Sequence, residues 1–348
     1  MTARLALAAL LALALASPTA AAADAPTPLF ASDAPLRLTL KAPFGDLPRE
    51  RREPEPSVPG ELALAGPDPE TLAVTVAGRG KTRRSRETCA FPPLRIAFPE
   101  KPPQGSLFAG QKSLKLVTHC QGARDHQPHL ILEYGAYRLY NRLTPVSFRA
   151  RLATIDYVEA NGRPVTSRLG FFIEDADDMA RRNGLREQEI TTTIPVAQLE
   201  PAAAVRFALF QDMIGNLDWA MTAGPGGDKC CHNSRPVAAK GATTGFIPVP
   251  FDFDYSGLVN APYAVPPEQV KVSSVRVRRY RGFCRHNDAL DAEAARVLAL
   301  REELLGELRA LPGLDAGDRS DALAYLGGFF ERVASPAAVA QRLKATCI

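Results

Sequence analysis

Between residues 210 and 260 the chain gathers side chains that can hold a cation and move a proton. Asp218 follows the end of an apolar segment, in Ile214-Gly215-Asn216-Leu217-Asp218-Trp219. His232-Asn233 comes next, and Pro250-Phe251-Asp252-Phe253-Asp254 then sets two carboxylates two residues apart. On a strand that spacing puts both side chains on one face. Neighbouring carboxylates raise one another's pKa unless a cation or a shared proton lies between them. Hard oxygen donors of this kind suit Mg²⁺, Mn²⁺ or Ca²⁺ better than zinc. Taken singly, each acid reads as a turn residue, and Asp254-Tyr255-Ser256-Gly257 has ordinary turn composition. As an ordered set, Asp218, Asn233, Asp252 and Asp254 read as a site for a divalent metal and a nucleotide.

Such a set needs elements to position it. Residues 36–41, 71–76, 93–98 and 113–120 show strand-like patterning, which predicts an antiparallel sheet with long connections, the Pro/Glu/Arg-rich stretch 48–59 among them. Residues 128–143 change to helical spacing through Leu130, Tyr134 and Tyr137 and carry Glu133. Residues 148–159 and 165–174 read as a hairpin turning at Asn161-Gly162. An apolar helix with Pro in its first turn is predicted over 201–213, and further helices over 292–311, 321–333 and 336–344. Sheet first and helices second predicts an α+β, two-lobed chain: a β-rich N-terminal lobe with one helix over 36–175, and a mainly helical C-terminal lobe over 176–348.

The beginning of the chain gives the cysteines their meaning. Arg4, the apolar run 5–16, the break at Ser17-Pro18 and the small residues Ala21 and Ala23 together read as a signal peptide cleaved near Ala23. The expected location is therefore outside the cytoplasm, periplasmic or extracellular. The apolar run is well short of the roughly 20 residues that cross a bilayer, and no later run reaches that length, so no membrane span is expected. Residues 24–35 are polar and Pro-rich and read as a loose arm. In an oxidising compartment Cys89, Cys120, Cys230, Cys231, Cys284 and Cys347 read as three disulfides. Cys89 and Cys120, on neighbouring strands, are expected to pair, and the other four to brace the second lobe. With 42 basic and 38 acidic residues the charge is too even to drive non-specific binding to nucleic acid, and none is expected.

The 210–260 motifs resemble the core of the CotH-type atypical kinases, a family distantly similar to the secreted Golgi kinases. That family carries an N-x-D catalytic loop, a following HN on a strand, and a strand ending in W/Y/F-D-x-D where protein kinases have DFG. Gly78-Arg79-Gly80-Lys81-Thr82-Arg83 resembles its R-G-N-S-type loop, and Leu114-Lys115-Leu116 stands where its ATP-binding Lys is expected. The resemblance spans roughly residues 70–260. It implies a two-lobed atypical protein-kinase-like fold, ATP with Mg²⁺ or Mn²⁺, and as acceptor a protein or a small molecule.

By that resemblance Asp218 would orient the attacking hydroxyl and accept its proton. Asn233 and Asp252 would hold the metal, with Asp254 sharing it or acting from behind. Lys115 would contact the α/β-phosphates with Glu133 as its ion-pair partner, and Arg79, Lys81 and Arg83 would reach phosphate oxygens. The expected function is an exported CotH-like kinase or a related nucleotide-dependent transferase. Two other readings use the same residues: a pseudokinase-like envelope binding or assembly protein without turnover, and a metal-dependent hydrolase with water as the acceptor. From the residues alone, Lys115 also reads as a solvated strand residue, Glu133 as an exposed helix acid and the basic run 79–86 as a solvated face. His232 reads as an orienting partner of Asn233, and Trp219 as core.

Overall fold

The computed structural model describes residues 25–50, 55–123, 126–225 and 230–348. The expected signal peptide lies outside the described residues. The first half is built from β1 (Leu36–Lys41), β2 (Val58–Leu64), β3 (Glu70–Gly78), β4 (Leu94–Ala97), β5 (Ser113–Val117), α1 (Gln127–Leu143), β6 (Ala150–Val158) and β7 (Pro164–Ile173). Its strands close into a barrel in the order β1-β2-β3-β4-β5-β7-β6.

The expected antiparallel sheet is corrected here. Neighbours are antiparallel except β1 and β6, which run parallel from Leu36↔Ala153 to Lys41↔Val158. The reason is topological: seven strands cannot alternate direction all the way round a closed ring, so one pairing must be parallel. The barrel interior is apolar, with Leu38, Leu40, Val76, Leu94, Ile96 and Leu116 at 1 % exposure or less. β2 occupies a segment that reads partly as loop, because Pro59 and Gly60 interrupt its alternation. Gly60 is required by close approach, since an added Cβ would lie 2.6 Å from the Lys41 carbonyl oxygen on β1.

The supposed loose arm is also corrected over its described residues. Leu29 and Phe30 are buried, and Arg151 and Arg149 donate to their carbonyl oxygens at 2.8 and 2.7 Å. Two apolar side chains inside a barrel end outweigh the polar composition around them.

The second half comprises α2 (Ala176–Arg181), β8 (Arg186–Glu187), α3 (Pro201–Ile214), β9 (Ser234–Ala238), β10 (Ile247–Pro250), α4 (Asn287–Ala299), α5 (Arg301–Ala310), α6 (Ala316–Arg332) and α7 (Pro336–Arg342). A small antiparallel sheet runs β10-β9-β8. The helix expected over 292–311 is two helices parted at Leu300, whose ψ of 5° leaves the helical region. Helix α1 lies between barrel strands β5 and β6 in the chain, yet Ile131, Tyr137 and Leu139 share one apolar cluster with Phe207 and Phe210 of α3 and Leu308 of α5. It therefore joins the halves and carries Glu133 between them.

The chain is thus α+β, with one large mixed sheet and seven α-helices among the described residues. None of those helices is long and apolar enough to cross a membrane. Disulfides join Cys89 to Cys120, Cys230 to Cys231 and Cys284 to Cys347. The expected first pair is present, though Cys120 follows β5 and Cys89 lies in the β3–β4 connection.

Candidate functional site

Helix α3 stops at Gly215, whose left-handed φ of 64° and ψ of 36° favour glycine. A Cβ there would also sit 1.9 Å from the Tyr325 hydroxyl. Past this stop the chain runs irregularly through Asp218. Asn216 Oδ1 accepts the Asp218 N–H at 3.0 Å. The Asp218 carboxylate is bonded on both oxygens, by His232 Nε2 at 2.7 Å and by Asn233 Nδ2 at 3.0 Å. Asn233 Nδ2 also donates to the Asp218 carbonyl at 2.7 Å. His232 therefore engages Asp218 rather than orienting Asn233, and that hydrogen bond raises the imidazole pKa against the opposing effect of burial. Asn233 takes a left-handed φ of 48°, which asparagine tolerates. Trp219 is core: it is buried, its Nε1 donates to Asn216 O at 2.9 Å, and its ring meets Phe207 edge-on.

The second group is organised by Arg83. Strand β10 ends at Pro250, so strand alternation does not place the two acids; Asp252 turns at a φ of 62° instead. Arg83 then spreads its guanidinium over three carboxylates: Nη1 to Glu133 at 2.8 Å, Nη2 to Asp252 at 2.8 Å and Nε to Asp254 at 3.2 Å. The side chains of Glu133 and Asp254 are 2 % and 7 % exposed, against 39 % for Asp252, so Asp252 alone faces water. Burial pushes the Glu133 and Asp254 carboxyls up, and Arg83 opposes this. Burial also disfavours the charge on Arg83, but Asp254, Glu133, Tyr263 and Asp252 together hold it protonated well above the ordinary guanidinium range. Tyr263 donates to Asp254 Oδ2 at 3.0 Å, and the Tyr137 hydroxyl accepts the Asp252 N–H at 3.0 Å.

This corrects the pairing expected for Glu133. Its partner is Arg83, because α1 presents it to the 79–83 loop, while Lys115 on β5 lies 3.5 Å from Asp175 Oδ2. Burial lowers the Lys115 pKa. The basic run is not a solvated face throughout, since Arg83 and Arg84 are buried. Arg79 and Lys81 make no ion pair among the described residues.

Two clefts adjoin across the Arg79–Gly80–Lys81 loop and Asp252. One, of about 360 Å³, sets Arg79, Lys81, Arg84, Arg95, Lys115 and Arg235 around Phe148, Ile173 and Phe251, with Glu55 and Asp252 as its acids. Glu55 already bridges Arg84 and Arg95, and Glu187 engages Arg235 at 3.5 Å. The other, of about 390 Å³, is lined by Lys81, Arg83, Asp218, His232, Asn233, Asp252, Asp254 and Tyr255. Every expected site residue lines one cleft or the other except Glu133, which stands behind Arg83. Sequence reasoning missed Arg84, Arg95, Arg235, Tyr137 and the central place of Arg83. Arg84 had a signal in the basic run 79–86, and Tyr137 in following Glu133 by four residues on one helix face; Arg95 and Arg235 had none.

The residues present fit a hard divalent cation in part. Oxygens of Glu133, Asp252 and Asp254 all come within 4.8 Å of one another, and the three carboxylates outnumber the one guanidinium that joins them. Asp252 Oδ2 and Asn233 Oδ1 have no hydrogen-bond partner among the described residues, which leaves both as donor oxygens. No protein-family model matches the chain, and no curated protein is found to match it.

Proposed function

We propose that the chain is an exported, kinase-like nucleotide-dependent transferase working with Mg²⁺ or Mn²⁺, as its resemblance to the CotH-type atypical kinases implies. The observation that carries this reading is the meeting of the two clefts at Asp252. A cationic cleft with apolar walls shares Arg79, Gly80, Lys81 and Asp252 with one that holds a carboxylate bonded to a histidine. Phosphoryl transfer asks the protein for positioning and charge neutralisation more than for covalent chemistry. The first cleft is of the volume that small-molecule sites occupy. Phe148, Ile173 and Phe251 would face the base of ATP there, with Arg79, Lys81 and Lys115 toward its phosphates. Asn233 and Asp252 would hold the metal, with Asp254 behind them, and the metal when bound would neutralise phosphate charge. Asp218, held by His232 and Asn233, would orient the acceptor hydroxyl and take its proton. Arg83 stands with Glu133 in the ion pair first expected of Lys115. Disulfides and the absence of a membrane-crossing helix among the described residues are compatible with export.

A second reading rests on Arg83 itself. A guanidinium already fills the position a cation would take between the carboxylates, which favours a pseudokinase-like binding or assembly protein without turnover.

A thermal-shift titration of the mature protein tests the proposal, because a ligand bound to the native state raises the melting temperature by mass action. ATP should raise it only with Mg²⁺ or Mn²⁺ present, and Asp252→Ala should abolish the shift. No metal-dependent shift in the native protein would sink the nucleotide reading. Where the shift occurs, labelled ATP separates the readings: transfer or ATP consumption supports the transferase, and binding without either supports the pseudokinase.

A further inference from the structure

Asp218 sits in a stretch with little strand or helix ladder of its own, so its peptide groups need side-chain partners. Two come from residues already described: Asn216 Oδ1 takes the Asp218 N–H, and Asn233 Nδ2 gives to the Asp218 carbonyl. The carbonyls on either side, of Leu217 and Trp219, converge on one group. Arg281 Nη1 donates to Leu217 O at 2.8 Å and to Trp219 O at 3.3 Å. The same guanidinium lies over the Trp219 ring, 4.8 Å from its centroid. Three residues earlier, Arg278 donates to Asp212 O at 3.0 Å and Met213 O at 3.1 Å, at the C-terminal end of α3. Arg278 and Arg281 thus secure in turn the last turn of the helix and the loop that leaves it.

We infer that Arg281 is a positioning residue: it clamps the peptide carbonyls on both sides of Asp218 and so fixes the carboxylate in the cleft it shares with His232 and Asn233. Arg281 lines neither of the two clefts, so it acts through Asp218 and not on a ligand. A planar guanidinium can serve two carbonyls and an aromatic face together, which a lysine ammonium does not. The catalytic part of this inference rests on the proposed transferase reading; the part concerning the loop does not.

The sole tryptophan of the chain, Trp219, adjoins Asp218 and reports on that loop directly. In Arg281→Met we expect acrylamide quenching of its fluorescence to rise at least twofold, with the far-ultraviolet spectrum and the ATP-plus-Mg²⁺ thermal shift retained. Transfer should fall at least tenfold in kcat with KM for ATP changed less than twofold. Arg281→Lys should recover part of the quenching protection and little of kcat. Unchanged quenching in a folded Arg281→Met, or a kcat equal to that of the native protein, overturns the inference. So does a failure of both variants to fold, which would make Arg281 a support of the whole fold. Increased quenching with no transfer in either protein sinks the transferase reading and leaves the loop clamp standing.

Discussion

Arg83 is buried and meets the carboxylates of Glu133, Asp252 and Asp254 with one guanidinium. Its position in a basic run suggested a hand reaching for phosphate. The fold turns it inward instead, where it joins Glu133, Asp252 and Asp254 across 50 to 171 positions of chain (133 − 83 and 254 − 83). Asp252 and Asp254 were legible as a pair that calls for a cation or a proton between them, although the fold sets them by a turn and not by strand alternation, and Glu133 was not legible as their neighbour. Nor was the identity of that cation, since it depends on which loop the barrel folds against α1. Removing one partner from a buried cluster strands the others, at a cost of about 3–5 kcal/mol. Arg83→Met should therefore lower the unfolding free energy at pH 7 by that amount in urea titrations. The variant should also gain more melting temperature from millimolar Mn²⁺ than the native protein does, as the metal replaces the lost charge. A loss below about 1 kcal/mol would mean that the acids do not depend on the guanidinium for their stability.

At the scale of elements, patterns confined to one segment were legible and those set by a distant partner were not. The strand at 36–41, the α1 helix and the hairpin at Asn161-Gly162 declare themselves by period and turn chemistry. β2 does not, because its Gly60 answers to the backbone of β1 and not to its own neighbours. The barrel end near β5 holds a comparable case in His119, which is buried, stacks on Phe91 at 4.7 Å and leaves Nδ1 without a partner among the described residues. Burial lowers its pKa from 6.5 to about 4, with Arg168 and His126 adding to the effect. The unfolded chain thus takes up a proton near pH 6.5 that the folded chain refuses until about pH 4. This contribution to stability is fully present above pH 6.5 and is lost as pH falls through that window, by up to about 3 kcal/mol. His119→Phe keeps the ring stack and removes the titration, so it should flatten the fall in unfolding free energy between pH 6.5 and 4. An acid limb identical to that of the native protein would show that His119 does not contribute to it.

For the whole molecule, the cysteines link the expected export to the stability of the fold. Their number and context made disulfides legible, but among 15 pairings only a folded chain selects one. The three bridges differ greatly in what they restrain, closing 31, 1 and 63 positions of chain. In the chain-entropy account a cross-link stabilises by restricting the unfolded ensemble, and its effect grows with the logarithm of the loop. Cys284–Cys347 joins the approach to α4 to the end of the chain, so its loop holds α4, α5, α6 and α7. Cys89–Cys120 holds β4 and β5. Each should contribute about 2–4 kcal/mol, the longer loop slightly more. Cys230–Cys231 joins adjacent residues and encloses no intervening chain, so its entropic contribution should be near zero. Paired Cys→Ser variants measured by urea unfolding should therefore rank Cys284/Cys347 at or above Cys89/Cys120, and both far above Cys230/Cys231. A loss at Cys230/Cys231 as large as at the other two would show that this bridge acts on the folded state. It would do so from a place beside His232 and Asn233, and stability would then be coupled to the loop that holds Asp218.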